Sequence, residues 1–113
     1  MDARTIQRLL EKIQAMAETA EHVGARSGEG MQHEPRLSEE AKKQLTPLYR
    51  EHALRLMSLY SELGARICET VQGEAEDDTT RGLVDLFHAN FSAMSDRARE
   101  TLRREFGAGS KLE

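Results

Sequence analysis

Large aromatic side chains are scarce in this sequence. The 113 residues include no tryptophan, two tyrosines and three phenylalanines, and the apolar fraction is 38%. Burial of apolar surface contributes about 25 cal/mol per Å² to folding, so a chain with few large side chains buries only a small core by itself. We therefore expect one modest domain that gains stability from a second copy or a partner.

Cysteine and long apolar stretches are also nearly absent. Cys68 is the single cysteine, so it has no partner for a disulfide within the chain, and such a chain suits a reducing compartment. The sequence has no apolar run long enough to span a bilayer, and no apolar core of a secretory signal follows Met1. These features predict a cytoplasmic protein that makes no membrane contact.

The sequence lacks the surplus of positive charge that is typical of nucleic-acid-binding proteins. It contains 16 lysines and arginines against 20 aspartates and glutamates, which gives a net charge of −4. Nucleic-acid binding depends largely on the neutralisation of phosphates by basic side chains. We therefore expect no direct contact between this segment and nucleic acid.

Motifs for metal binding and catalysis are missing as well. The histidines include no pair with the i, i+4 spacing of a helical zinc site. Three of the four acids of GEAEDDTTRG, residues 73–82, are contiguous at 76–78, and the full ligand pattern of a calcium loop with its closing bidentate acid does not follow. The sequence has no glycine-rich phosphate loop and suggests no nucleophile–base grouping. We expect no metal, no cofactor and no enzymatic activity.

The sequence does contain helical periodicity, first near the N-terminus. Apolar residues recur alternately three and four positions apart, which is the heptad pattern of a helix that packs along one seam. We predict a helix over residues 3–23 that ends at Gly24 and forms the interface of a homodimer, with Leu10 and Ala17 widening the seam. The predicted dimer seam consists of Ile6, Leu9, Ile13, Met16, Ala20 and Val23.

Composition divides the chain into four segments. Residues 1–24 form the predicted dimerisation helix, and the glycine-containing polar stretch 25–37 is a predicted linker. Residues 38–107 form a predicted helical hairpin domain, and 108–113 resemble a cloning scar.

The hairpin domain begins with a clear helix start. Ser38 offers a hydroxyl cap, and two glutamates follow in the first turn. Proline inside a helix costs about 3 kcal/mol, whereas proline at the first helical position after a threonine cap costs little. We therefore predict a short helix over 38–45, a break at Thr46–Pro47 and a long helix over 47–72.

The segment GEAEDDTTRG is predicted to be the turn between two long helices. Gly73 suits the C-terminal cap of one helix, and Asp77, Asp78 and Thr79 suit the cap and first turn of the next, where acids meet the positive end of the helix dipole. The following helix is predicted over 79–106. The predicted fold is all-α, an antiparallel bundle of three long helices plus one short helix.

This order of segments resembles the C-terminal half of some MerR-family transcription regulators. A heptad helix, a glycine-containing linker, the segment LSEEAKKQL and two helices around an acidic turn follow one another over residues 3–91. In that family a dimerisation helix leads into an all-helical effector-binding domain of the TipA-S, drug-sensing type. The resemblance implies a homodimer that binds a small hydrophobic effector. The comparable positions are Leu59, Leu63, Gly73, Asp78, Leu83, Phe87 and His88.

We therefore predict a regulatory or sensor-type helical module, the oligomerisation and effector-binding part of a bacterial transcription regulator. The alternative is a protein–protein interaction module, such as a secretion chaperone, assembly adaptor or antitoxin-like partner, that binds a partner helix. A sensor should have a cavity lined by Tyr49, Tyr60, Phe87 and Phe91, whereas an interaction module should have an exposed apolar stripe. The candidate ligand or partner surface consists of Tyr49, Tyr60, Phe87, His88 and Phe91.

Overall fold

The protein folds into three helices packed against one another. The computed structural model describes the backbone of residues 2–107, and the side chains of 2–22 and 32–107. The helices are α1 (Ala3–Gln32), α2 (Glu39–Gln72) and α3 (Asp78–Phe106). The described part of the chain contains no strand, so the all-helical prediction is confirmed. The predicted cloning scar at 108–113 lies outside the described residues.

Helix α1 is longer than the periodicity predicted. It continues past Gly24, where we placed its end, and reaches Gln32, so the connection to α2 is residues 33–38 rather than 25–37. Glycine inside a helix costs about 1 kcal/mol relative to alanine, which weakens a helix without ending it. The buried Lys42 of α2 donates from Nζ to the Gln32 carbonyl oxygen over 3.0 Å. A cation there suits the negative end of the α1 dipole.

Helix α2 is continuous through Pro47, so the predicted short helix and break at Thr46–Pro47 are wrong. The first turn is capped as predicted, since Ser38 Oγ accepts from the Ala41 N–H over 3.1 Å. The contact between Lys42 and α1 holds the N-terminal turns of α2 in place by tertiary packing. These contacts offset the local cost of the proline. Over residues 2–107 the chain therefore forms three long helices and no separate short one.

The turn between α2 and α3 forms as predicted. Helix α2 ends at Gln72 with Gly73 as its C-cap, and Asp77 is the N-cap of α3. The Thr80 N–H donates to Asp77 Oδ1 over 2.7 Å, and this hydrogen bond lowers the pKa of the Asp77 carboxyl below its ordinary value. A capping carboxylate satisfies a backbone donor that has no partner within the helix.

The core consists of two adjoining clusters to which all three helices contribute. Both clusters include residues of the heptad pattern in α1, so the surface on which α1 packs belongs to its own chain. The first cluster consists of Ile6, Leu10, Ile13, Cys68, Val71, Val84 and Phe91. The second consists of Ala17, Ala20, Met57, Met94 and Ala98.

The residues of the predicted dimer seam therefore do not share one environment in the fold. Ile6, Ile13 and Ala20 are buried inside the chain, Leu9 packs against the first cluster, and Met16 remains 43% exposed. The side chain of Val23 lies outside the described residues. A heptad pattern gives the width of an apolar stripe but does not reveal whether the partner helix belongs to the same chain, so the homodimer stays a prediction.

Polar contacts link α2 to α3 in a regular order. Glu62 accepts from Arg99 over 2.8 Å, Glu69 lies 3.4 Å from His88, and Gln72 Nε2 donates to Asp85 over 2.6 Å. Residue numbers fall along α3 as they rise along α2. Exposed pairs of this kind contribute about 0.2–1 kcal/mol each at most, so the buried clusters carry most of the stability.

Cys68 is expected to be unreactive in the folded protein. It is 1% exposed, and burial, with smaller contributions from the Glu69 and Asp85 carboxylates, raises the pKa of its thiol to about 11. Because the thiolate is the nucleophile, iodoacetamide at pH 8 should label native Cys68 about 100-fold more slowly than the urea-unfolded chain. Equal labelling rates would contradict this packing.

The raised pKa of Cys68 also predicts a pH dependence of stability. The unfolded thiol ionises near its ordinary value of 9.0, whereas the folded thiol holds its proton until about 11. The contribution of the Cys68 thiol to the free energy of unfolding is therefore complete below pH 9.0 and is lost as the pH rises toward 11. Over that pH interval the free energy of unfolding, measured by urea denaturation, should fall less in a Cys68→Ala variant than in the unmodified chain.

Candidate partner-binding groove

An open apolar groove lies between α1 and α2. Its volume is about 560 Å³, and its lining comes from these two helices alone. We call it the α1/α2 groove, and its lining residues are Lys12, Ala15, Met16, Thr19, Ala20, Tyr49, His52, Ala53, Leu56 and Tyr60.

The groove results from the distribution of small and large side chains on the two helices. Ala20 and Ala53 are buried and let the backbones of α1 and α2 approach, whereas Met16 and Tyr49 remain 43% and 49% exposed. Tyr60 is half-buried against the second core cluster. Small residues therefore form the base of the groove, and longer apolar side chains form its sides.

The overall packing leaves this face uncovered. Helices α1 and α3 both pack mainly on α2 and contact each other much less, and the Cα atoms span 57 × 29 × 15 Å. Leu59 and Leu63, which follow Leu56 at i+3 and i+7 on α2, are also exposed. Residues at that spacing share one face of a helix, so the apolar surface continues along α2 beyond the groove.

Lys12 is the one fully charged residue in the lining of the α1/α2 groove. It makes no ion pair with any described side chain. Glu11 and Glu18 of α1 are not part of this lining, and they accept from Gln7 over 2.9 Å and from Gln14 over 3.1 Å. The groove thus combines an apolar lining with local positive charge.

The structure separates the aromatic residues that we expected to act together. Tyr49 and Tyr60 line the α1/α2 groove. Phe91 is fully buried in the first core cluster, with Phe87 packed beside it at a ring-centroid distance of 6.2 Å. His88 lies 3.4 Å from Glu69 at the α2–α3 surface. The five residues of the predicted surface therefore lie in three places: the two tyrosines line the groove, the two phenylalanines pack in or against the core, and the histidine lies at the α2–α3 surface.

Sequence reasoning missed the contribution of α1 to this site. Met16 was assigned to the dimer seam, and His52 was assigned to no site, yet both line the groove. A detectable signal was the spacing in α1, because Lys12, Met16 and Thr19 follow one another at i, i+4 and i+7 and therefore share one face of the helix.

A second cleft, of about 330 Å³, is less suited to binding. Its charged lining residues are already paired, since Arg50 Nη2 donates to Glu105 over 2.8 Å and Arg97 lies 3.8 Å from Glu21. Among the described residues, no group of three or more His, Cys, Asp or Glu side chains is placed to hold a metal ion. Within the same residues, no helix has the length and apolarity needed to cross a membrane.

Comparison of the chain with protein families, curated proteins and solved structures finds no match. The resemblance to MerR-family regulators therefore stays a prediction based on the order of segments. The function must be inferred from the α1/α2 groove itself.

Proposed function

We propose that this chain is a helical protein–protein interaction module that binds an amphipathic helix of a partner in the α1/α2 groove. The observation that supports this proposal is the open apolar groove of about 560 Å³ with exposed leucines continuing along α2. In the helix-in-groove mode, the apolar face of one helix lies between two others. The proposal corresponds to the interaction-module alternative that the sequence left open.

The dimensions of the groove suit a helix. Tyr49 and Tyr60 lie eleven residues apart on α2, which corresponds to about 17 Å or three helical turns. We also infer that α1, α2 and α3 form an antiparallel up–down bundle, supported by the order of contacts between α2 and α3. A partner helix in the groove would add a fourth helix beside α1 and α2.

A second candidate function is the binding of a small hydrophobic effector, as the MerR resemblance implies. The groove volume of about 560 Å³ falls within the range of about 300–1,000 Å³ that is typical of small-molecule sites. Tyr49 and Tyr60 would supply hydroxyl groups at its edge. For this candidate, small hydrophobic compounds should raise the melting temperature, and Tyr60→Ala should abolish the shift.

The proposed interaction is tested with a synthetic partner helix. A fluorescent peptide of about 16 residues, with leucines at helical spacing and glutamines between them, is titrated against the purified chain. Met16→Asp places a charge in the groove and should weaken binding about tenfold or more. Leu86→Asp is the control, because Leu86 is 71% exposed on α3 and does not line the groove.

Two results would contradict the proposed function. One is equal weakening of peptide binding by Met16→Asp and Leu86→Asp, which would show that the peptide does not bind in the groove. The other is the absence of binding by this peptide and by versions of it with charged flanks.

A further inference from the structure

We propose that the helix bound in the α1/α2 groove carries acidic residues beside its apolar stripe, and that these residues face Lys12 and Arg8. This inference rests on the proposed function. It concerns the chemistry of the partner, whereas the proposed function concerns the place where the partner binds.

The first observation is the charge along the groove edge of α1. Lys12 lines the groove, and Arg8 lies one turn before it at i−4 on the same face. Neither side chain makes an ion pair or a side-chain hydrogen bond with a residue that the structure describes. Two neighbouring like charges on a helix repel each other, and an acidic partner would relieve that repulsion.

The second observation concerns two acids of α2 that do not line the groove. Glu51 accepts from Arg55 over 3.1 Å, and Glu62 accepts from Arg99 over 2.8 Å. His52, which lines the groove between them in sequence, adds a ring N–H donor. No carboxylate lines the groove, so the charge of Lys12 is not neutralised within the lining although the whole protein carries −4.

The same charges disfavour a second copy of this chain as the occupant. A symmetric dimer whose two-fold axis passes near Lys12 would bring Lys12 and Arg8 of one copy toward the same residues of the other. Like charges brought together across an interface suppress association and select against that partner. A helix with an apolar stripe flanked by glutamates or aspartates complements both the apolar lining and the charge.

The test compares two peptides that share the leucine stripe and differ in their flanks. One has glutamates and the other lysines at the positions next to the stripe, in a helix of about 16 residues. At low ionic strength the glutamate peptide should bind about tenfold more tightly or better, and added salt should reduce the difference. The double variant Arg8→Glu, Lys12→Glu should reverse the preference.

A matched control separates local from overall charge. Lys43→Glu with Arg104→Glu changes the net charge by the same amount, at exposed positions that do not line the groove. This control should keep the preference for the glutamate peptide. If the control reverses the preference as the Arg8 and Lys12 variant does, overall charge decides binding and the inference is wrong.

The remaining outcomes distinguish the inference from the proposed function. If both peptides bind equally and Met16→Asp still weakens them, the groove binds helices without charge selection, and only the inference fails. If neither peptide binds, the proposed function fails. If sedimentation shows self-association that Met16→Asp abolishes, a second copy occupies the groove and the acidic-partner inference is overturned.

Discussion

Replacing Ile13 with aspartate is expected to unfold the chain rather than to dissociate an assembly. Ile13 is 6% exposed and belongs to the first core cluster with Ile6 and Phe91. Loss of a buried isoleucine costs about 2–5 kcal/mol, and a buried carboxylate without a partner adds to that cost. Because small domains have about 5–15 kcal/mol of stability, most of the helical signal in circular dichroism should be lost.

Met16→Asp is the matched control for this prediction. It lies on the same helix and in the same heptad pattern, but its side chain is 43% exposed and lines the α1/α2 groove. Its free energy of unfolding in urea should change by less than about 0.5–1 kcal/mol. If Ile13→Asp remains as helical as the unmodified chain while light scattering shows half the mass, the heptad seam joins two molecules and this packing is wrong.

Replacing Gly64 with leucine is expected to lower the free energy of unfolding by about 3 kcal/mol. A Cβ atom at Gly64 would lie 2.6 Å from two ring carbons of Phe91, closer than carbon atoms approach. Phe91 is fully buried, so its ring has little room to move. The extra side chain must therefore separate α2 from α3, which urea denaturation measures as a lower midpoint.

Gly82 provides the matched control on α3. A Cβ atom there would meet no atom within 4 Å, and glycine is a poor helix former. Gly82→Leu should therefore stabilise the chain by up to about 1 kcal/mol. Similar effects at Gly64 and Gly82 would show that the close approach of Phe91 does not exist.

A second substitution tests whether the two residues act on each other directly. In the Gly64→Ala background, Phe91→Leu removes the ring that a Cβ atom would meet. The double variant should be more stable than the sum of the two single effects predicts, by about 0.5–3 kcal/mol of coupling. Additive effects would mean that the ring and the glycine are independent.

Local signals in the sequence were sufficient for the helical class and for the starts of α2 and α3, but not for the end of α1 or for the continuity of α2 through Pro47. The apolar periodicity predicted an all-helical chain, Ser38 was predicted as a cap, and residues 77–79 were predicted to hold the cap and first turn of α3, which begins at Asp78. These features depend on hydrogen bonds and side chains within a few residues of one another. Such information is contained in the order of residues.

The candidate site was only partly predictable. Tyr49 and Tyr60 were proposed from sequence and do line the α1/α2 groove, whereas Phe87, Phe91 and His88 lie elsewhere. Met16, Lys12 and His52 were not associated with them. Two helices must be placed side by side before their residues form one surface, and neither periodicity nor composition specifies that placement.

The sequence by itself thus determined that this protein is helical, where α2 begins and ends, and where the turn to α3 lies. Tertiary structure decided that α2 continues through Pro47, that Ile6, Ile13 and Ala20 are buried within their own chain, and that a groove remains between α1 and α2. The physical reason is that packing between distant segments can exceed a local preference of a few kcal/mol. An apolar stripe shows that a helix needs a partner, and only the folded chain shows which helix that partner is.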